Sequence, residues 1–180
     1  MKPIALATVA AALCATPALA RGRDASSSFF VEGGGPGLLY SVNYEFLDGD
    51  FGLRAGFSYQ PLSATGSSGG SGRAPVSLFT VPILANYLVN SGSSALELGG
   101  GATIIRADGA ASGNGLAVSA SGTTVLGTAI LGYRLQPADG GFQFRIGIEA
   151  LVGKGLALTN PDPTKLGVMP WMYLSIGYSI

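Results

Sequence analysis

The sequence contains no histidine and one cysteine, Cys14, and only 11% of its 180 residues are charged, where a soluble domain averages about 25%. Without imidazole, the commonest general base and the commonest transition-metal ligand are both missing. Neither sign of charge dominates: ten Lys and Arg balance ten Asp and Glu. The electropositive surplus that a phosphate backbone demands is therefore absent, and nucleic acid is excluded as a partner. Beyond the N-terminus no apolar run approaches the roughly 18 residues of a membrane-spanning helix. Disorder is excluded as well, because 47% of the chain is hydrophobic and so little of it is charged. What is abundant is glycine, 29 residues, against a usual share of roughly 7%.

The first twenty residues read as a cleaved export signal. Lys2 supplies the positive start, residues 4–15 the short apolar run, and Ala18-Leu19-Ala20 the small-x-small site that a signal peptidase accepts. Pro17 and the polar stretch from Arg21 to Ser28 cut the run short of a membrane anchor. Cys14 falls inside this leader, so residues 21–180 form one expected domain without disulfide or thiolate chemistry.

Within that domain, period-two alternation replaces any helical stripe. Turn signals divide it into eight expected strands, near residues 28–34, 38–47, 51–60, 76–89, 94–106, 117–135, 141–153 and 168–180. Short turns at 48–50, with Asp48-Gly49 as a two-residue hairpin candidate, at 90–93 and at 136–140 alternate with longer connections at 61–75, 107–116 and 154–167. Only the connection at Gly35-Pro36-Gly37 is short where a long one is due. Short connections at one end, long ones at the other and an even number of antiparallel strands are the pattern of an up-and-down transmembrane barrel.

The phase of the alternation is informative. Tyr40, Val42, Tyr44 and Phe46 share one face of the second strand; Phe142, Phe144, Ile146 and Ile148 share one face of the seventh. Away from strand ends every charge falls on the opposite face: Glu32, Glu45, Arg54, Glu97, Arg134, Arg145 and Glu149. That second face is otherwise mostly Gly, Ser and Thr, too small and too sparsely charged for a solvated exterior, so the apolar face is expected to meet lipid. Aromatics gather toward the two ends, as interfacial girdles do: Tyr44, Phe46, Phe51, Tyr87, Tyr133, Phe142, Phe144 and Tyr178 at one, Tyr40, Phe57, Tyr59, Phe79 and Trp171 at the other. Lipid solvates no backbone polar group, so the sheet must close. At eight strands the interior is just wide enough for side chains to fill. The seven charges are then expected to form an ion-pair network in the lumen, with Glu45 and Arg54 as direct or diagonal cross-strand neighbours. A proton or ion path is the alternative use of the same residues.

With these segments in view, the chain resembles the small eight-stranded outer-membrane barrels of the OmpA/OmpX and opacity-protein kind. The likeness rests on residues 37–45 (GLLYSVNYE), 52–59 (GLRAGFSY), 96–101 (LELGGG), 132–134 (GYR) and the terminal strand, and it extends over residues 21–180. It implies an outer membrane of a Gram-negative-type bacterium, the outer-membrane lipid as surroundings, and the barrel-insertion machinery as a partner during assembly. The terminal strand departs from the commonest assembly signal in ending on Ile180 where Phe is usual. No peptidoglycan-binding segment follows residue 180 in this sequence, so a cell-wall tether is not expected.

Small barrels that act as lipid A acyltransferases and deacylases, proteases or phospholipases rely on a His base, which this sequence does not have. Lys154 and Lys165 sit in or beside a loop, and Asp108 and Asp162 are isolated. Gly99-Gly100-Gly101 and Gly33-Gly34-Gly35 are not followed by the Lys-Ser/Thr of a phosphate loop and read as close-packed or sharply curved backbone. Among recognition residues the loops offer only Arg73 and Arg106, with Trp171 at a rim. Small polar residues over 116–124 on the lipid phase place that part of the sixth strand above the membrane. The expectation is thus a monomeric, non-enzymatic barrel without cofactor or metal, serving envelope structure or surface display. A narrow pore or apolar-ligand route, and an envelope-lipid enzyme working without His, are the alternatives.

Overall fold

The computed structural model describes residues 25–65, 73–89, 93–113, 116–154, 156 and 164–180. The expected export leader, residues 1–20, and Asp162 lie outside them. Eight strands follow in order: β1 (Ser27–Gly34), β2 (Tyr40–Asp48), β3 (Phe51–Thr65), β4 (Arg73–Val89), β5 (Ser94–Gly113), β6 (Leu116–Leu135), β7 (Gly141–Lys154) and β8 (Leu166–Ser179). Each pairs antiparallel with the next, and β1 pairs with β8, from Ser28 opposite Ser179 to Gly34 opposite Tyr173. The sheet closes into an up-and-down barrel. Closure leaves no edge within the wall, the condition a strand protein must meet in lipid.

The alternation sets the two faces. Phe29, Val31, Val42, Tyr44, Leu53, Phe57, Ile83, Leu98, Leu131, Ile148, Leu174 and Ile176 are exposed on the outer wall, while Ser28, Glu32, Asn43, Glu45, Arg54 and Ser175 are buried within. The exposed aromatics form two tiers. Phe29 packs against Tyr44 near the chain termini, the rings tilted by 50° with centroids 4.8 Å apart. Toward the opposite end Tyr59 is paired with Phe79, and the Tyr40 hydroxyl donates to the Tyr59 carbonyl. Trp171 does not join this tier. It shares the phase of Tyr173 and Ser175, is half-buried, and donates Nε1 to the Leu38 carbonyl at 3.2 Å. Its parity, which places it on the lumen side, outweighs its aromatic character.

Two further expectations are corrected. The β2–β3 turn is Gly49-Asp50, since Asp48 is still paired with Phe51; Gly49, at φ 59°, takes the first turn position that demands a positive φ. The long connections are also shorter than composition suggests. The β3–β4 ladder continues to Thr65 opposite Arg73, and the β5–β6 ladder to Gly113 opposite Leu116. Ser, Gly and Ala weaken strand propensity, but a neighbouring strand already in register supplies the hydrogen bonds that propensity alone does not. The β3–β4 ladder breaks once within its length, skipping Gly56 and Phe57 beside Val81 and Pro82, where proline has no N–H to offer.

Candidate functional site

The lumen is built in layers from the inward-facing residues. At the end bearing the short turns, Leu47, Leu88 and Ala95 pack into an apolar seal. Above it lie the charges. Arg54 pairs with Glu32, Arg134 with Glu45, and Arg145 with Glu97, all six side chains fully buried. Further hydrogen bonds reach the pairs: Arg54 Nε donates to Asn43 Oδ1 at 3.1 Å, Asn86 Nδ2 to Glu45 Oε1 at 2.7 Å and Ser28 Oγ to Glu45 Oε2 at 3.2 Å, and within its own pair Arg145 Nε donates to Glu97 Oε2 at 2.9 Å. Phe30 stands between two of these cations, its ring centroid 5.0 Å from the Arg54 guanidinium carbon and 4.4 Å from that of Arg145. The aromatic faces compensate part of the desolvation that two buried guanidiniums suffer.

All seven charges singled out in the sequence point into the lumen, and the structure pairs six. Glu149 is the seventh. Only 3% of it is exposed, and neither carboxylate oxygen has a hydrogen-bond partner among the described residues. Four carboxylates thus face three guanidiniums. Phe30 was not singled out, although sharing parity with Ser28 and Glu32 is a signal that would have found it. Leu84, Leu88 and Ile130 are likewise buried on the inner face. Leu84 and Leu88 keep the parity of Asn86, the one clearly polar residue of that stretch.

The opposite end of the lumen is closed by the β1–β2 connection, which explains why it is short. Gly35, Pro36 and Gly37 form a single buried 3₁₀ turn folded inward rather than out. The Gly37 carbonyl collects donors from three strand positions, Ser58 Oγ at 3.1 Å, Gln60 Nε2 at 2.5 Å and Thr80 Oγ1 at 3.5 Å. Glycine is needed here: Gly34 and Gly35 have φ of 72° and 69°, and a β-carbon on Gly35 would strike the Glu32 carboxylate. The Gly33-Gly34-Gly35 run is therefore the hinge of an inward plug.

Among the other charged candidates, Lys154, Lys165 and Arg106 are exposed rather than buried in the lumen. Lys154 and Lys165 flank the β7–β8 connection, and Arg106 pairs with Asp108 in the open, Nε to Oδ2 at 3.0 Å. Among the described residues no three His, Cys, Asp or Glu side chains gather as a metal group would.

The outer end is uneven. β2 meets β3 only as far as Val42 opposite Phe57, and β6 meets β7 only as far as Gly127 opposite Val152. Beyond those rungs β3, β4, β5 and β6 continue together as a four-stranded sheet that rises above the rest of the wall. A closed eight-stranded wall, apolar outside and polar inside, decides the architecture. Its fold is that of the small eight-stranded outer-membrane barrels. The chain is similar to Ail, the attachment invasion locus protein of Yersinia pestis, solved in complex with the heparin analogue sucrose octasulfate. That likeness has 17% identity over 86% of this chain and 98% of that one, with a TM-score of 0.53. Lower-scoring likenesses are to Ail in a second structure, 16% identical over 86% and 97% of the chains with a TM-score of 0.48, and to neisserial surface protein A, 12% identical over 86% and 92% with a TM-score of 0.42. No family model and no curated protein matches the sequence. The barrel carries transmembrane-type strands of alternating character, with the ionic residues turned inward.

Proposed function

We propose that this barrel resides in the outer membrane of a Gram-negative-type bacterium and serves a non-enzymatic role in envelope structure and surface display. The observation that carries this reading is the filled lumen. An apolar seal, three buried ion pairs and an inward-folded turn occupy it from end to end. Side chains that close a narrow cylinder leave no bore for solute, and six of the seven charges are engaged with one another rather than with a substrate. The ion pairs act in this reading as packing that happens to be charged. The sheet formed by the far ends of β3 to β6 is the part of the molecule that stands clear of the membrane and is free to be displayed.

Planar-bilayer recordings test the closed lumen, with a flat baseline expected; defined unitary conductance steps would replace this reading with the pore. Mass spectrometry of envelope lipids from cells with and without the protein tests the non-enzymatic role. Unchanged acyl patterns are expected, and a change restored only by the intact protein would overturn it.

A further inference from the structure

The turn at Gly35 to Gly37 lies inside the outer mouth of the lumen, against β3, β4, β7 and β8. It begins beyond the last rung of the β1–β2 ladder, Gly33 opposite Tyr40, so pairing between its own two strands does not hold it in place. Side chains hold it inward: Ser58, Gln60 and Thr80 donate to the Gly37 carbonyl, and Trp171 Nε1 to that of Leu38. Strain opposes them. Leu38 has φ 72° and ψ −94°, and among the described residues it is the only non-glycine with a positive φ. That is the strained γ-turn region, which a residue with a β-carbon occupies only where its surroundings impose it, and such outliers mark elements with a second available state. Closure also covers polar atoms that gain nothing from it. Gln60 Oε1 and both carboxylate oxygens of Glu149 are buried without a hydrogen-bond partner among the described residues, and Glu149 stands opposite Trp171 on the β7–β8 ladder. Outward movement of the turn relaxes Leu38 and lets water reach these atoms, at the loss of the bonds to the Gly37 and Leu38 carbonyls.

We infer that residues 35–37 form a strap, hinged at Gly34 and Leu38, that swings outward in a minor state and opens the outer part of the lumen as a blind vestibule. The hinges are the two positive-φ positions that flank the turn. Opening uncovers Ser41, which is fully buried in the closed form and lies directly under the strap: a β-carbon on Gly37 would sit 2.4 Å from that of Ser41. It also uncovers Glu149, which gives the vestibule an anionic wall. The floor stays shut, because the Glu45–Arg134 and Glu97–Arg145 pairs and the seal of Leu47, Leu88 and Ala95 lie deeper and are held by contacts of their own. The strap thus adds a second conformation to the filled lumen without turning it into a pore.

Residues 21–180 contain no cysteine, so single thiol reporters can be introduced. Ser41→Cys is nearly isosteric and lies under the strap; Ser28→Cys, beside Glu45 and nearer the floor, is the control. On the full barrel in lipid nanodiscs, a small neutral methanethiosulfonate should modify Ser41→Cys slowly and Ser28→Cys not at all before unfolding. Trp171→Phe removes one strap bond and should speed modification of Ser41→Cys about fivefold. Leu38→Gly relieves the strain of the closed form and should slow it by a similar factor. Each combination is first shown to keep heat-modifiable migration. Equal rates in the three backgrounds would overturn the inference. So would a Ser41→Cys thiol as inert as Ser28→Cys, or an acceleration shared by both sites, which would report loosening of the whole barrel. Should Trp171→Phe fail to fold, amide exchange in the unaltered protein decides. The Gly34 and Leu38 amides, bonded to the Leu39 and Gly35 carbonyls within the connection, should exchange together and faster than the β1–β2 ladder. Exchange as slow as the ladder's would overturn the strap. Planar-bilayer recordings of the unaltered protein and of Trp171→Phe should both stay flat, and conductance steps there would count against the closed lumen of the proposed function and not against the strap.

Discussion

Glu45 and Arg54 lie directly opposite one another on the β2–β3 ladder, yet each is ion-paired elsewhere, Glu45 with Arg134 and Arg54 with Glu32. Adjacency on a strand pair brings side chains of one face close. In a narrow closed wall, however, the opposite side of the lumen is as near as the next strand. Arg134, far along the chain on β6, reaches Glu45 across the interior. Arg54 is turned instead toward β1, steadied by Asn43 on β2. The pairing thus ties sequence-distant strands together through the middle of the barrel.

Double-mutant cycles should reveal this cross-lumen wiring. Arg134→Met leaves a buried Glu45 without its cation, and breaking such a pair costs about 3–5 kcal/mol. The Glu45–Arg134 and Glu32–Arg54 cycles should show strong coupling in urea unfolding from lipid bilayers. The Glu45–Arg54 cycle should show much less, despite direct opposition on the ladder. Equal coupling for all three would mean that the charges act as one undifferentiated field.

Glu149 should behave unlike its fellow carboxylates. It is buried without a hydrogen-bond partner among the described residues, so Glu149→Gln removes an uncompensated acid and is expected to leave stability unchanged or raise it. Glu97→Gln strips the buried Arg145 of its bidentate partner and is expected to cost on the order of 3 kcal/mol. Unfolding midpoints of the two variants, measured side by side, decide the matter. A Glu149→Gln loss as large as that of Glu97→Gln would mean that the carboxylate is engaged.

The outer wall yields a depth prediction. Ile83 is exposed and lies on β4 midway between the aromatic tiers marked by Phe79 and Tyr87. Arginine there should cost about 2–4 kcal/mol, as at a bilayer midplane. The same change at Thr123, on the risen part of β6, should cost close to nothing. Folding free energies into liposomes measure both, and matching losses would place the risen sheet in lipid.

The wall was legible in the sequence because a period of two leaves little freedom: once Tyr44 faces out, Glu45 must face in. The same parity assigned all seven lumen charges. What it could not supply was the azimuth. Which carboxylate meets which guanidinium depends on the register all round the barrel and on side-chain reach, and neither is local. The inward turn at Gly35 to Gly37 was visible only as an anomaly of length, since its partners Ser58, Gln60 and Thr80 lie on other strands. Trp171 shows composition misleading where parity would have corrected it. The lengths of β3 and β5 were underestimated because a small, polar sequence acquires its strand character from its neighbour.

Tyr173 accounts for two glycines that parity alone leaves unexplained. It is buried and faces inward beside Gly147 on the β7–β8 ladder, and Gly147 in turn faces Gly132 on β6. Its ring lies across both glycines, so a β-carbon on Gly132 would strike the phenol oxygen. Gly132→Ala should therefore destabilise by about 1–3 kcal/mol, the usual cost of overpacking. Since the phenol oxygen has no hydrogen-bond partner among the described residues, Tyr173→Phe should be tolerated on its own and should recover part of the Gly132→Ala loss. Gly147→Ala should not be rescued in this way, because its β-carbon would meet backbone at closer range, the Leu131 carbonyl oxygen at 2.5 Å and Gly132 Cα at 2.7 Å, whereas the nearest backbone atom to a β-carbon on Gly132 is the Ile146 carbonyl oxygen at 2.9 Å. Rescue of one glycine variant and not the other, read as unfolding midpoints in bilayers, separates a side-chain clash from a backbone one. Rescue of both, or of neither, would remove the phenol from its assigned place over the two strands.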